Sequence, residues 1–222
     1  MPSTEATKTM VQCDFDGTIT EEDVSFLLLD VFADGNWRQL QEEYRQGRIS
    51  VGLFNTKAFA MIKADEATLL DFIFKSGKLK IRPGFRELLD YCSGKGFRFV
   101  IVSNGLNFYI EAILREMGVT NIEIFAAQNQ FSPAGMEVKY IGPDGSEVND
   151  NFKGAYTKLF LEEGYRIVYA GNGVSDYHAA WRAHHVFATG EMLERCHETK
   201  LSCTPFDDLN DIVKELKLLP LD

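Results

Sequence analysis

Two acids stand two residues apart in Asp14-Phe15-Asp16-Gly17-Thr18. In an extended chain that spacing puts both carboxylates on one side, and charges so close repel unless a cation or a shared proton intervenes. Gly17 lets the chain turn sharply after them, and Thr18 adds a hydroxyl. Ser103-Asn104-Gly105 offers a hydroxyl and an amide, and Lys153 an ammonium. Gly171-Asn172-Gly173-Val174-Ser175-Asp176 supplies a further amide and a further acid. Together these groups suit a hard divalent cation, bound through oxygens, beside a phosphate.

Such groups act together only if the fold brings them to one place. Short runs rich in Val, Ile and Phe at residues 10–14, 97–103, 122–127, 165–171 and 185–188 read as strands. Helical periodicity covers residues 83–93, 106–117, 152–163, 176–183 and 206–217. Alternation of this kind predicts an α/β fold, a doubly wound parallel (Rossmann-like) sheet with helices on both faces. Ligands of such sheets bind beyond the carboxyl ends of the strands, which is where these chemical stretches fall. Between Asp23 and about Lys78 the pattern is helical only, too long for one crossover helix. It reads as an inserted helical cap, giving a core of residues 1–20 and 80–222 and a cap of residues 21–79. Residues 131–148, with turn signals PAG and PDG, read as a hairpin extension.

DFDGT, SNG, an isolated Lys153 and GNGVSD, in this order, resemble the motifs of the haloacid dehalogenase-like phosphatase superfamily along essentially the whole chain. The cap between the first two motifs, and IRPGF at 81–85, resemble the subgroup containing phosphoserine phosphatase and 2-hydroxy-3-keto-5-methylthiopentenyl-1-phosphate phosphatase. The resemblance implies a phosphatase acting on a small-molecule phosphomonoester, with Mg2+ as cofactor. Asp14 is then the nucleophile that forms an aspartyl-phosphate. Asp16 protonates the leaving group and activates water, its backbone carbonyl touching the metal. Thr18, Ser103, Asn104, Gly105 and Lys153 hold the phosphate. Asp14, Asp16, Asn172 and Asp176 serve the metal, the last by orienting metal-bound water. The superfamily usually has Asp where this chain has Asn172, so the ion is expected to bind more weakly.

Two further readings use the same residues: a phosphotransferase or mutase on the same core, or a phosphate-binding module without turnover, its metal weakened by Asn172. Phosphoserine is disfavoured as substrate, because no Arg lies between Arg48 and Arg82 to pair its carboxylate, and Lys57 is a poorer partner. Among nearby residues, Glu21, Glu22 and Asp23 sit where core meets cap, facing the substrate's non-phosphate end, with N-cap of the first cap helix the alternative and favoured reading of Asp23. The aromatics Phe26, Phe32, Trp37, Tyr44, Phe54 and Phe59 recur at helical spacing and are expected mostly in the core, one or two lining the pocket. His184 and His185 lack acid partners in sequence and read as structural.

The 222 residues suffice for one core with a small appended unit, and a net charge of −10 argues against binding nucleic acid. Four cysteines without a CxxC pair read as reduced thiols. The polar stretch at residues 1–10 lacks the apolar segment of a signal peptide. No apolar run approaches the ~20 residues of a membrane span. The expectation is a cytoplasmic protein with no membrane partner.

Overall fold

A computed structural model describes residues 8–220; the first seven residues, part of the polar opening stretch, and the last two lie outside it. Seven strands form one sheet in the order β4-β3-β2-β1-β5-β6-β7. They are β1 (Lys8–Cys13), β2 (Arg98–Leu106), β3 (Glu123–Gln130), β4 (Glu137–Lys139), β5 (Tyr165–Gly171), β6 (His185–Ala188) and β7 (Thr204–Pro205). All neighbours run parallel except β3 and β4. β1 sits between β2 and β5, with Met10 opposite both Arg98 and Ile167. Strand order reverses there, opening a crevice at the carboxyl ends of β1, β2 and β5.

Burial explains why these segments are strands. Met10, Val11 and Cys13 are fully buried, as a central strand covered on both faces requires. Gln12 is buried as well, and its amide is satisfied by helix α7 (Phe152–Glu162). Its Nε2 donates to the Lys153 carbonyl (3.3 Å), and its Oε1 accepts from the Thr157 hydroxyl (2.9 Å). One polar residue in β1 thereby fixes the helix that carries Lys153.

Between β1 and β2 lie helices α1 (Val24–Phe32), α2 (Trp37–Arg45), α3 (Val51–Phe59) and α4 (Glu66–Lys75), followed by α5 (Phe85–Lys95) behind the sheet. Asp23, Ser50 and Asp65 cap α1, α3 and α4 by accepting from Phe26, Leu53 and Thr68 N–H. Each such cap contributes about 1 kcal/mol. The chain leaves and re-enters at one doorway, where Thr20 pairs with Ile81 and the Arg82 N–H donates to the Ile19 carbonyl (2.8 Å). The Arg82 guanidinium donates to the carbonyls of Gly17 (2.9 Å), Thr18 (2.9 Å) and Asp207 (2.6 Å), clamping the turn after β1.

The remaining helices are α6 (Asn107–Glu116), α8 (Tyr177–Ala180), α9 (Gly190–Thr199) and α10 (Leu209–Leu216). Several boundaries differ from the sequence reading. β2 does not end at Ser103: it runs on through Asn104, Gly105 and Leu106, with an irregular register against β3. The helix expected at 176–183 is a 3-10 turn (Val174–Asp176) and the four residues of α8, because Asp176 turns back onto Asn172 and Gly173. The helix expected from 206 starts at Leu209, where Asp208 forms a capping box with Asp211. Residues 131–148 do extend β3, through β4 and an Ile141–Glu147 bridge. Among the described residues, no helix is long and apolar enough to cross a membrane.

Candidate active site

Asp14 follows β1, held by a bond from its N–H to the Ala170 carbonyl of β5 (2.9 Å). Its Oδ1 meets Lys153 Nζ at 2.7 Å, and the same ammonium reaches Asp176 Oδ1 at 2.6 Å. All three side chains are almost wholly buried. Burial alone would lower the lysine, but Asp14 and Asp176 outweigh it and hold the ammonium above its usual range. Burial pushes the Asp14 carboxyl up to about 7, and the Asp176 charge adds to this, while Lys153 opposes.

Asp176 makes four contacts. Oδ1 accepts from Lys153 and from the Tyr169 hydroxyl (2.5 Å), and Oδ2 accepts from the N–H groups of Asn172 (3.1 Å) and Gly173 (2.8 Å). It is fully buried, behind the cavity wall rather than on it. Its geometry shapes the GNG turn and holds Lys153 in line with Asp14.

Asp16 is held from the helical segment and from α6. Its Oδ1 accepts from the Val24 N–H (3.0 Å) at the start of α1, and its Oδ2 accepts from the Tyr109 hydroxyl. Tyr109, fully buried, also meets Ser25 Oγ at 2.8 Å. Burial, then the nearby Asp23, raises the Asp16 carboxyl well above the ordinary carboxylate range. A Cβ on Gly105 would collide with Asp16 Oδ2 and the Tyr109 hydroxyl, so this position has room only for glycine.

Gly17 adopts φ +74°, and a Cβ there would strike the Asn172 amide. That close approach lets the Thr18 hydroxyl donate to Asn172 Oδ1 (3.1 Å). Thr18 itself is fully buried and does not line the cavity, and its N–H goes to the Phe15 carbonyl. Ser103 does line the cavity, its Oγ accepting from the Gly105 N–H (3.0 Å).

A cavity of about 320 Å3 opens over these groups. Asp14, Asp16, Ser103, Asn104, Gly105, Lys153 and Asn172 line its floor. Helices α1 to α3 roof it with Phe26, Gln41, Tyr44, Arg45, Phe54 and Asn55. Three of the aromatics read from helical spacing thus reach the cavity, with Tyr44 stacked on Phe54 at 5.7 Å. Asp23 caps α1 and lines the cavity at once. His184 and His185 bond to the Ile167 N–H and the Thr204 hydroxyl, away from the cavity.

Sequence reasoning did not pick out Tyr109, Gln41 or Asn55. Tyr109 carried a weak signal, as a tyrosine on the sheet-facing side of α6 whose hydroxyl needs a buried partner.

Sequence comparison finds relatives over nearly the full length. The 2-hydroxy-3-keto-5-methylthiopentenyl-1-phosphate phosphatase of Exiguobacterium sibiricum is 29% identical over 212 residues, covering 93% of this chain and 95% of that protein. The enzyme of the same name from Geobacillus thermodenitrificans is also 29% identical, covering 93% and 94%. In fold, a substrate-bound phosphoserine phosphatase complex superposes with a TM-score of 0.71 at 18% identity, covering 95% of this chain and 99% of that one. A structure described as a phospho-aspartyl intermediate analogue of phosphoserine phosphatase gives 0.70 at 18% identity, covering 94% and 99%. The family model described as haloacid dehalogenase-like hydrolase matches residues 11–180, from β1 through α8, and the chain belongs to that family.

Proposed function

We propose that this protein is a Mg2+-dependent phosphomonoester hydrolase acting on a small phosphorylated metabolite through an aspartyl-phosphate at Asp14, with residues 21–79 as its cap. The observation that carries this reading is the buried Asp14–Lys153–Asp176 chain beneath a cavity that also receives Asp16. The curated relatives named as phosphatases, and the phospho-aspartyl analogue in a protein of like fold, support it.

In the proposed reaction a carboxylate oxygen of Asp14 attacks phosphorus as the P–O bond to the leaving group breaks. Asp16, protonated through its raised affinity, gives its proton to the departing alkoxide. It then takes a proton from water, whose oxygen attacks phosphorus and releases phosphate and free Asp14. Lys153, with Ser103 and the backbone of Asn104 and Gly105, holds phosphoryl oxygens as charge redistributes. Thr18 and Asp176 act at one remove, through Asn172 and Lys153.

The donors present fit Mg2+. Among the described residues the buried acids Asp14, Asp16 and Asp176, with the half-buried Asp23 beside them, have Lys153 as their one ion-pair partner, an excess of acid that a hard cation relieves. Among the described residues no three His, Cys, Asp or Glu side chains converge into a ligand set. The proposed ligands are the Asp14 carboxylate, the Asp16 backbone carbonyl and Asn172 Oδ1. When bound, the ion neutralises charge on the phosphoryl group.

The neutral Asn172 gives a direct test of that ligand set. Asn172→Asp is expected to tighten Mg2+ by ~1–3 kcal/mol, the gain from a charge-assisted contact in a partly buried site. Mg2+ titration of phosphate release measures it. Coincident curves for the two proteins would mean that residue 172 does not touch the ion.

Tyr109→Phe tests the support of Asp16. Loss of one buried hydroxyl is expected to cost about 1–2 kcal/mol of stability by leaving Asp16 and Ser25 short of a partner. Turnover of an alkyl phosphate should fall roughly tenfold, and that of an aryl phosphate less, since a good leaving group needs little protonation. Equal losses on both substrates would assign Tyr109 to folding alone.

Hydrolysis is separated from phosphotransfer by measuring free phosphate with and without added alcohols as acceptors. A panel of phosphomonoesters, assayed with Mg2+ and with chelator, tests the whole reading. Metal-dependent phosphate release is expected, and no release from any member, together with no transfer to an added acceptor, would favour a binding module.

A further inference from the structure

The chain reversal after α9 brings together two thiols that the reaction at Asp14 does not use. Lys200 ends that helix at φ +58°, and with Asn151 it is one of two non-glycine residues of positive φ among the described residues. A left-handed lysine is strained, and its surroundings must hold it there. The Leu201 N–H donates to the Cys196 carbonyl (3.0 Å), closing a turn that sends the chain back toward the last turn of α9. Cys203 thereby packs against the buried cluster of Tyr169, Val186, Met192 and Cys196. The Cys196 and Cys203 thiols are hydrogen-bonding neighbours, Cys196 fully buried and Cys203 half-buried. Cys13 and Cys92, by contrast, are enclosed in the main core.

Two neighbouring thiols, one of them reached by solvent, suit thiol–disulfide exchange. The Cys203 thiolate attacks one sulfur of a small-molecule disulfide, forming a mixed disulfide and expelling one thiolate. The Cys196 thiolate then attacks the Cys203 sulfur and expels the second. The protein's two sulfurs lose two electrons and two protons, and the small disulfide takes up both pairs as two thiols. Burial, then the Cys203 thiol beside it, pushes the Cys196 thiol up to about 12, so little of it is thiolate at neutral pH. Holding both sulfurs together offsets that, because the second step is intramolecular. The bond would join α9 to an edge strand held by few others. β7 is two residues long, follows Cys203 directly, and includes Pro205, which has no N–H to give.

We propose that Cys196 and Cys203 form a reversible disulfide under oxidising conditions, a staple that ties the last turn of α9 to the edge strand β7. The staple stabilises the fold by closing a short loop of the chain. It is independent of the reaction at Asp14.

The test incubates the native full chain with glutathione disulfide at mildly alkaline pH. Remaining thiols are blocked with N-ethylmaleimide in denaturant, and the protein is digested with trypsin. Cleavage after Arg195, Lys200 and Lys214 puts the two cysteines on separate peptides, 196–200 and 201–214. Blocked thiols are expected to fall by half from four, with these two peptides joined until dithiothreitol parts them. The oxidised protein should melt about 5 °C above the reduced one, the shift that closing so short a loop gives. Cys203→Ser should show neither the join nor the rise, and the wild-type peptide map does not depend on that variant folding. Four blocked thiols, glutathione left on Cys203 without the join, or a link through Cys13 or Cys92 overturns the proposal. So does a joined protein that melts no higher than the reduced one.

Discussion

Asp14→Asn is expected to lose turnover by several orders of magnitude while keeping its fold. An amide cannot form the acyl-phosphate, and removal of a covalent nucleophile commonly costs roughly 10⁴–10⁶ in rate. The fold should tolerate the change. Burial raises the Asp14 carboxyl to about 7, so its charged form is disfavoured in the folded state. For an acid with a raised folded value, the destabilisation grows as pH rises from the ordinary carboxylate range toward about 7. A neutral amide removes that penalty, although Lys153 then keeps Asp176 as its one close acidic partner. Melting in metal-free buffer at neutral pH, beside phosphate release from p-nitrophenyl phosphate, checks both halves. A folded variant with wild-type rate would refute the nucleophile.

Asp16→Asn is expected to slow both formation and hydrolysis of the phospho-enzyme, by about 10²–10⁴-fold for a general acid–base residue. The two steps respond differently to the substrate. An aryl leaving group departs without a proton, so its formation step should suffer less than that of an alkyl phosphate. Hydrolysis of the common intermediate should slow equally for both. Pre-steady-state bursts separate the steps. If formation falls equally for aryl and alkyl substrates, Asp16 is not the acid.

The chemistry was legible in the sequence where strand geometry alone dictates position. Asp14, Ser103 and Asn172 follow or end apolar runs, and parallel strands deliver such residues to one edge. The four helices from Val24 to Lys75 were legible from periodicity, and the cap of the first from Asp23, whereas the Ser50 and Asp65 caps were not picked out. What was not legible is set by contacts distant in sequence. Tyr109 lies 93 positions from Asp16, and Asn55 lies 85 from Tyr140. Helical periodicity marks an inner face but does not say whether a polar residue on it meets core or cavity. Gln41 and Glu42 are adjacent polar residues of α2, yet Gln41 is buried and Glu42 is exposed. The expected helix at 176–183 failed because the pattern there is apolar enough to propagate, while Asp176 bonds backward to Asn172 and Gly173.

The most direct test of the central claim is to trap the phospho-enzyme. Wild-type protein turning over a 32P-labelled phosphomonoester with Mg2+ is quenched in acid, digested, and its labelled peptide sequenced. The expected result is a hydroxylamine-labile label on the peptide containing Asp14, absent in Asp14→Asn and accumulating when Asp16→Asn slows hydrolysis. Label on a different residue, or turnover that leaves no labelled peptide even in Asp16→Asn, would contradict it.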